Sequence, residues 1–355
     1  MPTYLITGGC GFIGSNFIRH FLVVRPDIRI INLDKLTYAG NPDNLRDLTG
    51  DPRYTFIQGD IADRSKVAEC FELAASATAA GGKPAVTGII NFAAETHVDR
   101  SISGDTGSFI TTDVYGSYIL LEAARDHGVE LFFQISTDEV YGSIETGSFI
   151  ETDPLEPNSP YSASKAGAEM LVRSFGVTWG VPYIITRCSN NFGPYQYPEK
   201  LIPLFITNAL DELPLPLYGD GLNVRDWIYV QDHCEAVVFL LENGTPGEIY
   251  NIGGGNERTN VDITRMILDA LGLDHSLITP VKDRPGHDRR YSLSCEKMAA
   301  MGWRARFPFS TAMSETIAWY RNNERWWRPL KNRREEFLDF YRKHYGVKIT
   351  PRESR

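Results

Sequence analysis

The chain has no run of about 18 apolar residues, so nothing in it reads as a membrane span. Cysteine is scarce. The five present (Cys10, Cys70, Cys188, Cys234 and Cys295) are scattered and odd in number. None pairs with another at metal or redox spacing, so they read as reduced thiols of a cytoplasmic protein with no metal centre. Basic residues are outnumbered, 36 Lys and Arg against 45 Asp and Glu, for a net charge of −9. That argues against a nucleic-acid partner held by a basic surface and leaves room only for a local basic pocket. The chain starts in a strand-like run at 4–7 without a charged, apolar leader, so no secretory signal is expected. No repeat of 20–50 residues is visible.

What is present is a globular chain of 355 residues, 42% of them hydrophobic, which rules out a disordered protein. That length suits one large or two moderate domains. Short apolar runs at 4–7, 29–33, 54–58, 88–92, 130–136 and 181–187 read as strands. Several are continuous rather than alternating, as strands buried on both faces require. Helical stretches at 14–24, 64–80, 109–127 and 161–178 lie between them. Strand–helix alternation implies an α/β fold, a Rossmann-type doubly wound parallel sheet. Residues 74–84, rich in Ala and Gly, read as a helix end and loop. Beyond Arg187, prolines and glycines punctuate the chain, which suggests a smaller, mixed α/β lobe. Helical periodicity returns at 230–242. The expected division is 1–187 plus about 229–248 for the Rossmann lobe, about 188–228 and 249–320 for the second lobe, and a helical tail at 321–355.

A dinucleotide site is written near the start. Gly9, Gly11 and Gly14 make a GxGxxG string after the first strand, and Gly8, Gly11 and Gly14 make an equally readable GxxGxxG string. Glycines there permit a tight turn and let backbone N–H groups and a helix N-terminus approach a pyrophosphate. Asp34 lies 20 residues beyond Gly14 at the end of the second strand, where a carboxylate accepts from both ribose hydroxyls and favours NAD over NADP. Lys35 beside it weakens that preference. Asp60 and Ile61 follow the third strand, placed to meet the adenine.

Tyr161 and Lys165 stand four apart, on one helical face. A nearby ammonium and the positive nicotinamide ring favour the phenolate, which can take a proton from an alcohol while hydride leaves it. Thr137, Asp138 and Glu139 end another strand, at the edge where open α/β sheets bind ligands. Oxidising an alcohol needs only the Tyr and a cofactor; an added acid and base suit an elimination. Once C4 of a hexose is a ketone, a carboxylate can remove the C5 proton and a carboxylic acid can protonate the departing 6-hydroxyl. Burial and like charge can hold one carboxyl protonated near neutrality. Strand neighbours point to opposite faces, so the chain must leave strand geometry near Thr137.

Together these residues resemble the extended short-chain dehydrogenase/reductase family, and within it the dTDP-glucose 4,6-dehydratases. The resemblance covers nearly the whole chain. It rests on TGGCGFIGS from Thr7, AAETHVDRSI from Ala93, STDEVYG from Ser136, YSASKAGAE from Tyr161, RCSNNFGPYQYPEKLIPL from Arg187, LYGDGLNVRDWIYVQDH from Leu217 and DRPGHDRRY from Asp283. It implies a bound NAD regenerated each turnover, a nucleotide-sugar substrate and a 4-keto-6-deoxy product. By that resemblance Tyr161 takes the 4-hydroxyl proton, Thr137 bonds the same hydroxyl, and Lys165 supports the Tyr and the nicotinamide ribose. Glu139 removes the C5 proton and Asp138 protonates the 6-hydroxyl.

The resemblance further implies NAD contacts at Phe12, Ile13, Asp34, Lys35, Leu36, Thr37, Asp60, Ile61, Phe92, Ala93, Ala94, Glu95, Thr112 and Asn191. Substrate contacts fall at Thr96, Asn190, Lys200, Leu201, Pro216, Leu217, Tyr218, Arg225, Asn260, Asp283, Arg284, Pro285, Gly286 and His287. Arg225 and Arg284 suit a diphosphate, although Asp226 offers Arg225 a structural salt bridge instead. Three residues depart from the family pattern: Thr96 for Ser, Asp113 for Asn and Phe192 for Tyr. A homodimer is also implied, with the helices near 109–127 and 161–178 forming a four-helix bundle. Related enzymes acting on UDP-glucose share the catalytic run. A nucleotide-sugar 4-epimerase or decarboxylase of the superfamily, and a non-catalytic NAD-binding protein, are the remaining readings; neither epimerase nor decarboxylase has a use for the whole Asp138–Glu139 pair.

Overall fold

The computed structural model describes residues 1–76 and 85–332. Residues 77–80 of the expected 64–80 helix, 77–84 of the 74–84 stretch and 333–355 of the 321–355 tail therefore lie outside the described residues. Twelve strands run in chain order: β1 Thr3–Thr7, β2 Arg29–Asp34, β3 Tyr54–Gln58, β4 Gly88–Asn91, β5 Leu131–Thr137, β6 Tyr183–Cys188, β7 Asn190–Phe192, β8 Leu215–Tyr218, β9 Val224–Tyr229, β10 Glu248–Ile252, β11 Glu257–Thr259 and β12 Ile278–Val281.

Seven of them form one sheet in the order β10-β6-β5-β4-β1-β2-β3, all pairs parallel. The order reverses between β1 and β4, which opens a crevice at the strands' carboxyl ends, where doubly wound sheets bind ligands. Adjacent residues fill opposite faces. Ile6, Ile90, Phe133 and Ile184 pack with the helix Phe12–Val24 on one side. Leu5, Ile89, Phe132 and Ile185 pack beneath the helices Arg64–Ser76, Ser117–Asp126 and Pro160–Trp179 on the other. Burial on both faces is why these strands are continuous apolar runs.

Beyond Cys188 the chain builds a second body. It holds an antiparallel and parallel sheet, β11-β9-β7, and a parallel pair, β12-β8. Its own core joins Phe192, Phe205, Ile206, Trp227, Ile263, Ile267 and Tyr320. The chain revisits the large sheet through the helix Val230–Asn243, whose Cys234, Val237 and Leu240 share the core of the helix Phe12–Val24. The large sheet takes back more chain than 229–248: β10 runs to Ile252, and Met298 and Trp303 pack into the same core. The helix Glu324–Asn332 seats Trp327 fully buried against the second body. Among the described residues no helix is long and apolar enough to cross a membrane.

Candidate active site

The glycine turn joins β1 to the helix Phe12–Val24. Gly8 has φ +68, and a Cβ there would sit 2.6 Å from the Ala93 backbone nitrogen. A Cβ on Gly14 would meet Gly9 Cα at 2.8 Å, with Gly8 O closer still. Gly11 precedes the helix as its N-cap with no side-chain cap bond, and the first turn holds no acidic residue. Its free N–H donors and positive dipole end therefore face the cleft that Gly8, Gly11 and Gly14 line. Gly9 instead donates its N–H to Asn32 Oδ1 at 3.1 Å, so GxxGxxG describes the cleft-facing set.

Asp34 ends β2. Its Oδ2 accepts from Cys10 N and its Oδ1 from Leu36 N, both at 2.8 Å. Leu36 is held at φ +57, a strained value for a residue with a side chain. Lys35 is paired with Asp60 at 2.7 Å. The space in and at the mouth of the cleft, open solvent included, is about 1520 Å³. Every residue read as a cofactor contact lines it except Leu36, whose backbone serves Asp34 from behind. Thr96, Thr137, Asp138 and Glu139 also line it. The site fits a dinucleotide: unpaired helix donors for a diphosphate, a carboxylate at a ribose position and an apolar wall of Phe12, Ile13 and Ile61.

β5 stops at Thr137, and Asp138–Tyr141 forms a single 3₁₀ turn. Thr137 Oγ1 accepts from Glu139 N at 3.3 Å and donates to Asp138 Oδ1 at 3.2 Å. This departure from strand geometry lets both carboxyls reach the cleft. Gly142 closes the turn at φ +85, where a Cβ would press on Glu156 O at 2.5 Å. Tyr141 points into the core, donating to Asn251 Oδ1 at 2.9 Å and accepting from Arg187 at 2.7 Å.

The helix Pro160–Trp179 starts where it does because Ser159 and Ser162 cap one another and Pro160 occupies the first helical position. Tyr161 lies in that first turn and Lys165 one turn on. Lys165 Nζ donates to Ile135 O at 2.7 Å, fastening the helix to β5.

The two carboxyls meet different surroundings. Burial, then the neighbouring Glu139 charge, pushes Asp138 well above the ordinary carboxylate range. Its Oδ2 is buried without a partner among the described residues. Burial also raises Glu139, but Arg284, Lys200 and Arg225 draw it back. Both carboxyls are raised, Asp138 more strongly, so Asp138 keeps its proton more readily than Glu139 does. In the chain alone, burial and the charges of Glu139 and Asp113 raise Tyr161, while Thr137 opposes them.

A second cavity of about 820 Å³ adjoins the cleft, and Glu139, Asn190, Glu199 and Lys200 line both. Leu201, Pro216, Leu217, Tyr218, Arg225, Asn260, Arg284 and His287 line the second cavity. Asp283, Pro285 and Gly286 line neither; Asp283 instead pairs with His287 at 2.6 Å. Arg225 makes no salt bridge with Asp226. It donates to the carbonyls of Val224 and Asp288 and lies 4.1 Å from the Tyr291 ring centroid. Asp226 accepts from Gly254 N and Asn256 N instead. Asn190 Oδ1, Asn260 Oδ1 and Arg284 Nε are buried without partners among the described residues. Sequence reasoning missed His97, Asp99, Glu199, Trp227 and Tyr291, all of which line the second cavity. Asp99 and Glu199 lie inside quoted motifs, but neither carries a local signal of its own.

A Rossmann sheet whose glycine turn, Tyr–Lys helix and acidic 3₁₀ turn converge on one cleft defines an extended short-chain dehydrogenase/reductase. The family model described as GDP-mannose 4,6 dehydratase matches residues 5–316. The dTDP-glucose 4,6-dehydratase of Streptomyces antibioticus is 51% identical over 335 residues, 93% of this chain and 95% of that one. A crystal structure of a dTDP-glucose 4,6-dehydratase from Streptomyces venezuelae with NAD and TYD bound is 49% identical, with a TM-score of 0.86, covering 93% of this chain and all of that one. One from Bacillus anthracis in complex with NAD is 46% identical, with a TM-score of 0.84 and coverage of 93% and 100%. The chain belongs to the dTDP-glucose 4,6-dehydratase family.

Proposed function

We propose that the protein binds NAD in the first cleft and dTDP-glucose across the second cavity, and converts the sugar to dTDP-4-keto-6-deoxyglucose and water. The observation that carries this reading is the Asp138–Glu139 turn: adjacent carboxyls, one held protonated and the other faced by three cations. Simple oxidation or epimerisation at C4 has no use for the pair.

When bound, NAD⁺ accepts the hydride from C4 and gives it back at C6. Tyr161, in the first turn of its helix, receives the 4-hydroxyl proton; the helix dipole and the cofactor's charge favour its phenolate against the burial that opposes it. Glu139 takes the C5 proton made acidic by the C4 ketone. Asp138 gives its proton to the 6-oxygen, which leaves as water, and Glu139 returns its proton to C5. Tyr161 has then gained one proton and Asp138 has lost one, so a proton passing from the first to the second resets the site. Arg225, Arg284, Asn190 and Asn260 supply donors and acceptors for the diphosphate and sugar.

The two lobes hold the cofactor and the nucleotide sugar respectively. Exposed Ile110 and Tyr115, with Met170, Val177 and Trp179 on the helix Pro160–Trp179, form an apolar face that supports a homodimer through a four-helix bundle. Five free thiols suit a cytoplasmic location. The test is incubation with dTDP-glucose, UDP-glucose, CDP-glucose and GDP-mannose separately, read by mass spectrometry. Loss of one water from dTDP-glucose alone is expected. Loss from UDP-glucose instead overturns the base choice, and an isomer without water loss overturns the reaction.

A further inference from the structure

One buried carboxylate beside the site has no part in the steps above. Asp113 sits in a π-helical turn, Ile110–Gly116, that interrupts what the sequence reads as one continuous helix. Such turns redirect side chains inward and recur at functional positions. Here the turn aims Asp113, 2% exposed, between the helix Pro160–Trp179 and the loop after β4. Oδ1 accepts from Glu95 N at 2.9 Å, and Oδ2 accepts from Ser164 Oγ at 2.7 Å. Ser164 lies between Tyr161 and Lys165, and Glu95 lines the cofactor cleft. Asp113 therefore ties the catalytic turn to the cleft wall.

We propose that Asp113 is a positioning residue of the C4 oxidation step: it fixes the Tyr161–Lys165 turn through Ser164, and its carboxylate sets the charge that the Tyr161 phenol meets. An acceptor needed for geometry alone carries no charge of its own. This one faces three titratable groups: Lys165 and Tyr161 from the helix, and Glu95 from the loop. Glu95 N is a fixed donor to Oδ1; the single Ser164 hydroxyl proton, which also has Tyr161 O within 2.8 Å, goes to Oδ2 when the carboxyl is ionised. Burial brings its proton affinity up to about 6, Lys165 opposing, so the charge is present at neutrality and lost just below it. When present it offsets the Lys165 ammonium and disfavours a second negative charge on Tyr161.

This rests on Tyr161 being the base of the proposed reaction. The experiment uses the NAD-loaded protein as parent, Asp113→Asn and Ser164→Ala. Single-turnover oxidation of dTDP-glucose is followed across pH by the absorbance of the reduced cofactor. The Tyr161 phenolate is titrated separately, without substrate, as an ultraviolet difference against Tyr161→Phe. Asp113→Asn keeps an acceptor for Glu95 N and removes the charge. Its rising limb of oxidation should move to lower pH by about one pH unit, with more phenolate at each pH. Ser164→Ala, which withdraws a donor from the carboxylate, should move the limb the same way by less. A limb that stays in place in Asp113→Asn, with only cofactor content or melting temperature lowered, overturns the proposal. Phenolate that shifts while no sugar is oxidised at any pH leaves this inference standing and overturns the reaction instead.

Discussion

Arg187 on β6 and Glu169 on the helix Pro160–Trp179 form a buried ion pair, Nη2 donating to Oε2 at 2.7 Å and Nε donating to both carboxylate oxygens at 3.2 and 3.0 Å. The pair clamps the helix that carries Tyr161 and Lys165 to the sheet. Glu169→Ala leaves the guanidinium buried with only Tyr141 and the Glu151 carbonyl for partners. It should cost about 3–5 kcal/mol of stability. Urea unfolding of the variant checks this, and a double replacement of both residues by Met should recover most of the loss.

Asp138→Asn and Glu139→Gln should separate the later steps. In the proposed mechanism each removes a proton-transfer group worth roughly 10²–10⁴ in rate. With Asp138→Asn, C4 oxidation proceeds and water loss lags. With Glu139→Gln, the C5 hydrogen is no longer removed, so the 4-keto sugar forms and keeps it, and any exchange with solvent deuterium through Glu139 stops. Equal slowing of oxidation and water loss in Asp138→Asn, read by quench and mass spectrometry, contradicts the division.

Gly14→Ala should weaken binding in the cofactor cleft. The added methyl presses on the Gly8 carbonyl and on Gly9 Cα at 2.8 Å, where the backbone has no room to give. Overpacking of this kind costs about 1–3 kcal/mol, or roughly tenfold to a hundredfold in NAD affinity. Titration of NAD against the purified variant measures it.

His233 should make the fold acid-sensitive. Burial holds its imidazole down at about 4, against 6.5 in the unfolded chain. A depressed folded value means the stabilisation is fully present above pH 6.5 and is lost as pH falls towards 4. Its Nδ1 bonds Asn191 Oδ1 at 2.8 Å, so Gln can keep a donor there without a titrating ring. His233→Gln should lose less stability than the parent between pH 6.5 and 5, measured as the urea midpoint at each pH.

The large sheet was legible because its strands are buried on both faces and so appear as apolar runs: Ile89–Ile90 and Phe132–Phe133 serve opposite cores from adjacent positions. The residues proposed as catalytic could be read as groups because each group sits on one short stretch, Thr137–Glu139 or Tyr161–Lys165, and both stretches line one cleft. Three-residue strands such as β7 and β11 carry too few positions for any period. The π turn at 110–116 was invisible because it keeps helical composition, although Gly116, where a Cβ would meet Ile61 at 2.5 Å, marks the tight approach. Asp99 and Arg284 illustrate the rest: their 2.8 Å pair joins residues 185 apart in sequence, and only the fold brings them together.

The proposed reaction moves hydride internally from C4 to C6 and couples that transfer to loss of one water. It is tested most directly with dTDP-glucose deuterated at C4. The expected product is lighter by one water and retains the deuterium, now at C6, as read by mass spectrometry and NMR. Deuterium returned to C4 without water loss, or lost to solvent, would contradict it.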